Sequence, residues 1–286
     1  MSSYLYRVLR KGSLFCAAVS LFSLAAVAGE TPWQTHGKEV RSRIISAVDG
    51  HAGADTVLLG LELEVASKWK TYWRTPGEAG LAPHVTLMDD SVDGLDMRFP
   101  MPTRFELFGL QTYGYSGQVV FPVYVDKRNF INGKISLKAD FMVCKDVCIP
   151  YNSQYELDLG EGAARPSVQA IKLQSYLKQV PDTEGDAGAA LMVSDASVRG
   201  APGKEQLVVK VSAATSLVKP ELLPESTVPV KFGKPKTRLD RDGSSVWFAF
   251  PVMTGRNKVS LRGKTICLTF ADGRGNAIER WVDLPL

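Results

Sequence analysis

The chain predicts an all-β protein of two β-sandwich domains joined by a short helix and a linker. Three observations carry this expectation. The length of 286 residues accommodates two ordinary domains, and a hydrophobic content of 45% supports packed cores rather than global disorder. Apolar and polar residues alternate with period two through many short runs that end in Gly, Pro, Asn or Asp turns, which is the pattern of half-buried strands. Helical spacing occurs in one place, between Pro166 and Pro181. The expected boundaries are a leader at 1–28, a first domain at 29–165, a helix and linker at 166–190, and a second domain at 191–286.

Residues 1–28 read as a secretory signal peptide. Arg7, Arg10 and Lys11 supply the positive start, Leu14 to Ala26 the apolar core, and Ala26-Val27-Ala28 a small-x-small cleavage site. That core is too short for a comfortable transmembrane helix. Removing the leader takes the formal charge from +4 to about +1 and leaves three cysteines, Cys144, Cys148 and Cys267. A near-neutral mature chain offers no basis for binding nucleic acid or an anionic membrane surface. Export places the cysteines in an oxidising compartment, where a disulfide persists.

From Thr31 to Arg43 the chain reads as an extended lead-in. Val57–Val65 alternates as a strand. The aromatic cluster from Trp69 to Trp73 reads as core and sheet packing ending in a Pro76-Gly77 turn. Val85–Met88 is a short strand, and Phe99–Pro102 is a proline-punctuated edge or loop. Arg104–Gly117, with little periodicity, reads as a loop. Val119–Val125 is a strand whose Pro122 suggests an edge or a bulge. Ile135–Val143 and Tyr155–Leu159 alternate on either side of the two cysteines. Val168, Ile171, Leu173, Tyr176, Leu177 and Val180 define the helix, with Pro166 near its start. Asp182–Ala190 is the linker. The second domain offers strands at Leu207–Val211, Val228–Phe232, Val246–Val252, Lys258–Leu261, Thr265–Phe270 and Ile278–Val282. Hairpin turns fall at Asp240–Gly243 and Asp272–Asn276.

Chemistry concentrates in Phe141-Met142-Val143-Cys144-Lys145-Asp146-Val147-Cys148-Ile149-Pro150. Along one straight strand the two cysteine Cα atoms would lie roughly 13 Å apart. A disulfide needs them within about 7 Å, so the chain must turn at Lys145-Asp146-Val147 for the sulfurs to meet. A hairpin there sets Cys144 opposite Cys148 at an exposed tip, with Lys145 favouring a neighbouring thiolate. A structural disulfide closing so small a loop is a weak staple, and short exposed pairs are the labile ones; spacing alone leaves structural and redox roles both open. Cys267 lies within a strand-like run and reads as a buried, inert thiol.

Several stretches together resemble a known family: Trp69-Lys70-Thr71-Tyr72-Trp73-Arg74-Thr75-Pro76-Gly77, Tyr113-Gly114-Tyr115-Ser116-Gly117, Phe121-Pro122-Val123, and Val143 to Pro150 with its two cysteines. In this order they resemble the periplasmic N-terminal domain of the DsbD thiol:disulfide interchange proteins, and more closely the ScsB, or suppressor-of-copper-sensitivity, branch. The similarity covers roughly residues 40–160, and the second half resembles the following segment of the same branch more weakly. The resemblance implies an immunoglobulin-like sandwich acting as a redox shuttle, and it implies that the oxidising compartment is the periplasm. It implies electrons taken from a membrane-embedded DsbD/ScsB-like donor and passed to periplasmic thioredoxin-like proteins. The family's reactive pair falls on Cys144 and Cys148, with Cys148 the attacking residue in the reductive direction. The spacing between the cysteines is shorter than in the DsbD proteins themselves. The transmembrane and thioredoxin-like domains that usually follow are not in this sequence, which implies a donor acting in trans.

The resemblance also implies a shielding loop over the cysteines at Phe105-Glu106-Leu107-Phe108-Gly109. Leu107 or Phe108 would serve as an apolar lid, Gly109 as a flexible joint, and Glu106 as a charge disfavouring thiolate. The alternative places Phe105 and Phe108 in the core of the first sandwich. A second function class is Cu(I) binding, through the soft sulfurs of Met142, Cys144 and Cys148, although core packing is the commoner use of a methionine such as Met142. His36, His51 and His84 lie far from that stretch. A third class is a passive interaction module with a structural disulfide. Catalytic triads, phosphate-binding loops and dinucleotide fingerprints are absent from the sequence, so hydrolase and nucleotide chemistry have no support.

Overall fold

The computed structural model describes residues 29–183, 190–255 and 258–286. The leader and the centre of the linker lie outside the described residues. The first half supplies β1 (Gln34–His36), β2 (Val40–Ser46), β3 (Val48–Asp49), β4 (Thr56–Val65), β5 (Lys70–Gly77), β6 (His84–Leu87), β7 (Leu95–Met97), β8 (Thr103–Leu107), β9 (Leu110–Tyr115), β10 (Gln118–Asp126), β11 (Lys134–Cys144), β12 (Cys148–Asp158) and β13 (Arg165–Pro166). Helix α1 (Ala170–Leu177) follows. The second half supplies β14 (Leu191–Arg199), β15 (Gln206–Ala213), β16 (Glu221–Ser226), β17 (Lys231–Phe232), β18 (Lys236–Leu239), β19 (Ser245–Met253), β20 (Thr265–Ala271) and β21 (Ala277–Asp283).

Two antiparallel sheets form the first sandwich. One runs β1-β2-β4-β10-β7. The other runs β12-β11-β5-β9-β8, with β6 beside β11. Alternation decides which side chains meet between them. Leu59, Leu61, Leu63, Phe121 and Val123 face Trp73, Tyr113, Leu137, Phe141, Val143 and Tyr155 in one buried core. The second half closes a separate core of Leu207, Val209, Phe248, Phe250, Ile266, Leu268 and Phe270 between β14-β15-β19-β17 and β16-β20-β21. The fold is all-β with immunoglobulin-like sandwich domains.

Helix α1 packs on the outer face of the first sheet. Leu173 is buried with Ile45, Ala47 and Val120. Gly60 makes this approach possible, because a Cβ there would stand 2.6 Å from Leu173 Cδ2. Lys172 Nζ reaches the fully buried Glu62 at 2.9 Å, and Arg43 Nε reaches it at 2.7 Å.

The structure corrects several sequence expectations. The extended lead-in contains β1 and β2, and β2 is an interior strand beside β4. Pro76-Gly77 is not a turn but the end of β5, which shifts register between Tyr72 and Gly77. Arg104–Gly117 is not a loop. Apart from the turn and the last two residues it forms most of the β8–β9 hairpin, with Leu107 opposite Leu110. Its two turn residues, Phe108 and Gly109, both have positive φ, 53° and 78°, as a type I′ hairpin requires. Strand β10 is not at an edge, since β4 and β7 flank it. Pro122 is tolerated because it lies opposite Arg98, one residue past the end of the short β7, where it still accepts Arg98 N–H at 2.7 Å.

The helix is shorter than Pro166–Pro181, and Pro166 instead pairs with Val48 in β13–β3. In the second half, strand structure within Val228–Phe232 is confined to β17, and Lys258–Leu261 is not a strand. Strands β14, β16 and β18 add to those the sequence offers. No helix among the described residues is long and apolar enough to cross a membrane.

Candidate functional site

The β11–β12 hairpin keeps one register from Lys134↔Asp158 to Cys144↔Cys148. Lys145 N–H donates to Val147 O at 3.0 Å and closes the turn. This brings the cysteine Cα atoms to 4.1 Å, and the two sulfurs form a disulfide. The expected turn is therefore present, but the two cysteines are not equally exposed. Cys144 has no accessible surface, whereas Cys148 is exposed. Sheet order is the cause. Cys144 lies on β11 with β5 on its other side, opposite Lys70. Cys148 starts β12, the edge strand.

Along β11, Ile135, Leu137, Ala139, Phe141 and Val143 point into the core, so Met142 and Cys144 belong to the outward set. On the neighbouring strand the outward set includes Lys70 and Tyr72. Tyr72 is nonetheless fully buried. The segment around Gly80 lies on its ring, where a Cβ would come within 2.3 Å of Tyr72 Cε1. Phe105 packs against it from β8, with ring centroids 6.2 Å apart. Lys70 Nζ sits 4.8 Å from the Phe105 centroid. The Tyr72 hydroxyl lies 3.8 Å from Cys148 Sγ. Burial pushes the phenol pKa up. The site is a disulfide at a sheet edge, backed by a tyrosine clasped between a glycine loop and a phenylalanine.

The other predicted residues fall as follows. Lys145 pairs with Asp146 at 3.1 Å on the tip. Leu107 is half-buried and Phe108 is 64% exposed at the β8–β9 turn, which overturns the alternative of Phe108 as a core residue. The aromatic ring of that segment that meets the site is Phe105. Glu106 accepts a long hydrogen bond from Gln111 Nε2 at 3.4 Å. Met142 is half-buried, and its carbonyl accepts Thr71 Oγ1–H at 3.0 Å. His36 and His51 bond elsewhere, to Ser42 and to the Gly160 carbonyl. Tyr72 was missed as a site residue. Its motif was visible, but the face it points to depends on which strands flank β5.

Cys267 is free and buried in β20. Burial pushes its thiol up to about 12, with the charges of Glu279 and Glu225 adding to the shift, so it is inert as a nucleophile. Ligand-type atoms of Glu225, Cys267 and Glu279 lie within 4.8 Å of one another. Arg74 from β5 already occupies these carboxylates. Its Nε donates to Glu225 at 3.1 and 3.2 Å, and its terminal nitrogen pairs with both Glu225 and Glu279. Burial opposes the Arg74 charge, yet the hydrogen bonds and charges of the two glutamates raise its pKa above the ordinary value. The cluster is an interdomain clamp. Arg104 of β8 adds a second clamp, donating to Glu221 at 3.1 Å and to Leu222 O at 2.9 Å.

Fold and site together define a two-sandwich protein with an asymmetric disulfide at a sheet edge. Residues 45–159 match the family model for the N-terminal domain of thiol:disulfide interchange protein DsbD. The similarity to that family is confined to this part of the chain. Residues 179–283 match a domain of unknown function (DUF8393). Among solved structures, the N-terminal periplasmic domain of ScsB from Proteus mirabilis is similar with a TM-score of 0.75 and 23% identity. That match covers 90% of this chain and 99% of that one, so the fold is shared across both domains. The human desmocollin-1 ectodomain matches at a TM-score of 0.22 and 8% identity, covering 82% of this chain and 45% of that one, too low a score to carry an argument. No curated protein sequence matches the chain significantly.

Proposed function

We propose that the chain is a periplasmic thiol–disulfide exchange protein whose Cys144–Cys148 pair carries two electrons from a membrane-embedded DsbD/ScsB-like donor to thioredoxin-like proteins. The observation that carries this reading is the split exposure of the pair. A partner approaches from the side of Cys148, which is exposed, and not through Cys144, which is buried. Charging the site begins when a donor thiolate attacks Cys148 Sγ. The Cys144–Cys148 bond breaks, and Cys144 leaves as thiolate and takes up a proton. The donor's second thiolate then resolves the mixed disulfide, and the donor ends as a disulfide.

Discharge reverses the roles. Cys148 thiolate attacks a partner disulfide, and one partner sulfur leaves as thiolate. Cys144 then attacks Cys148 Sγ and releases the other partner thiol. Two electrons and two protons pass in each direction. Shielding is assigned to Phe105, whose ring packs on Tyr72. Leu107 shares its face of β8 by alternation, and Phe108 extends the tip.

Trapping tests the reading. In Cys144→Ala, the remaining Cys148 should accumulate mixed disulfides with thioredoxin-like proteins on non-reducing gels. Cys148→Ala should trap little, because Cys144 is covered. Equal trapping by both variants, or none by either, overturns the proposal. A Cu(I) site on Met142, Cys144 and Cys148 rests on Met142 sharing the outward face of β11 with Cys144. It requires the reduced pair, since a disulfide offers no thiolate. Tight Cu(I) binding by the reduced protein against a chelator, weakened in Met142→Leu, would favour it.

A further inference from the structure

We propose that the Tyr72 hydroxyl is a catalytic group that donates a hydrogen bond to Cys148 Sγ and stabilises the Cys148 thiolate. The inference rests on the exchange reading above and adds a residue to it. The sulfur and the hydroxyl oxygen are 3.8 Å apart, within reach of a sulfur hydrogen bond. A disulfide sulfur carries no hydrogen, so in this structure the phenol is the donor. Tyr72 has no exposed surface and makes no other hydrogen bond among the described residues. Its O–H therefore has the sulfur as its partner or none, and a buried unmade bond is costly.

The same bond gains strength when the sulfur is charged, because hydrogen bonds to ionised groups are stronger than neutral ones. It favours thiolate over thiol and so lowers the proton affinity of Cys148. Among the described residues, Tyr72 is the hydrogen-bond partner found at Cys148 Sγ. Lys145 is paired with Asp146, and Lys70 sits over the Phe105 ring. Burial keeps the phenol protonated, so it remains a donor wherever the thiolate forms. The clasp of Gly80 and Phe105 holds the ring in place.

The step balances without a further reagent. The Cys148 thiol loses its proton to solvent, and Tyr72 keeps its own. The thiolate attacks the partner disulfide while the O–H remains directed at Sγ. When a donor reduces the pair, the same O–H steadies Cys148 as it is released from the mixed disulfide as thiolate.

The test is the pH profile of alkylation of the reduced full-length protein by iodoacetamide, with the label assigned to Cys148 by peptide mass mapping. Tyr72→Phe removes only the hydroxyl and leaves the ring between Gly80 and Phe105. We expect the Cys148 profile to move up by about one pH unit, a tenfold change in proton affinity. A more basic thiolate is also more nucleophilic. Below the titration midpoint the net slowing should therefore be about threefold, and above it the variant should be about threefold faster. Two profiles that cross are the signature. A variant faster at every pH would show that the hydroxyl only packs over the sulfur, and a superimposable profile would show that it does nothing; either overturns the proposal. The readout needs no partner, so a failed trapping experiment with a shifted profile sinks the exchange reading and leaves this bond standing.

Discussion

Replacing Arg74 with methionine probes the joint between the two sandwiches. The change keeps an apolar stem of similar length and removes the guanidinium. Glu225 and Glu279 then face one another with side chains only 16% and 12% exposed. Their oxygens lie within 4.8 Å. Two unit charges at that separation repel by about 3.5 kcal/mol at an effective dielectric near 20. Breaking a buried ion pair from one side costs about 3–5 kcal/mol in general, which agrees. Thr75, which donates to Glu225 from the same strand, cannot neutralise either carboxylate. Urea unfolding followed by circular dichroism should therefore show a loss of about 3 kcal/mol near pH 8. A loss below about 1 kcal/mol would refute the reasoning, because such values belong to exposed pairs.

Two further outcomes follow from the same geometry. Gly80→Ala puts a Cβ within 2.3 Å of the Tyr72 ring at a φ of +115°, so the loop must lift or the ring must turn. It should cost about 1–3 kcal/mol and shift the Cys148 alkylation profile as Tyr72→Phe does; an unchanged profile would mean the clasp does not position the hydroxyl. Glu62 is buried, which by itself raises its pKa, but hydrogen bonds and charge from Lys172 and Arg43 outweigh burial and leave it lowered. A lowered folded pKa contributes stability above the unfolded value of about 4.3 that is lost as pH falls through the folded value. Glu62→Gln should accordingly cost about 2 kcal/mol at neutral pH and progressively less below about pH 4, as measured by urea midpoints. A constant difference down to strongly acid pH would count against the ion cluster under α1.

Residues with strict alternation announced themselves. Val57–Val65, Ile135–Val143 and Tyr155–Leu159 read as strands because each buries one face against its own sandwich. The cysteine hairpin was legible because spacing and disulfide geometry admit one solution, a turn at Lys145–Val147. Arg104–Gly117 was not legible. Its glycines and aromatics hide the period, and its strand state comes from pairing with β5 and from the positive φ of Phe108 and Gly109. The helix was over-extended because Pro166 looks like a helix start until Val48 is seen to pair with it.

The sequence by itself determined that Cys144 and Cys148 can meet and that Cys267 stands apart. Only the tertiary structure decided which of the two cysteines is exposed, because that depends on β12 lying at the edge and β5 lying beside β11. It also decided that Tyr72 reaches Cys148 across 76 positions of chain and that Arg74 reaches Glu225 across 151. Local periodicity reports which face of a strand is apolar. It holds no information about which distant strand covers the other face, and at this site that covering strand sets the exposure and the hydrogen bonding of the sulfurs.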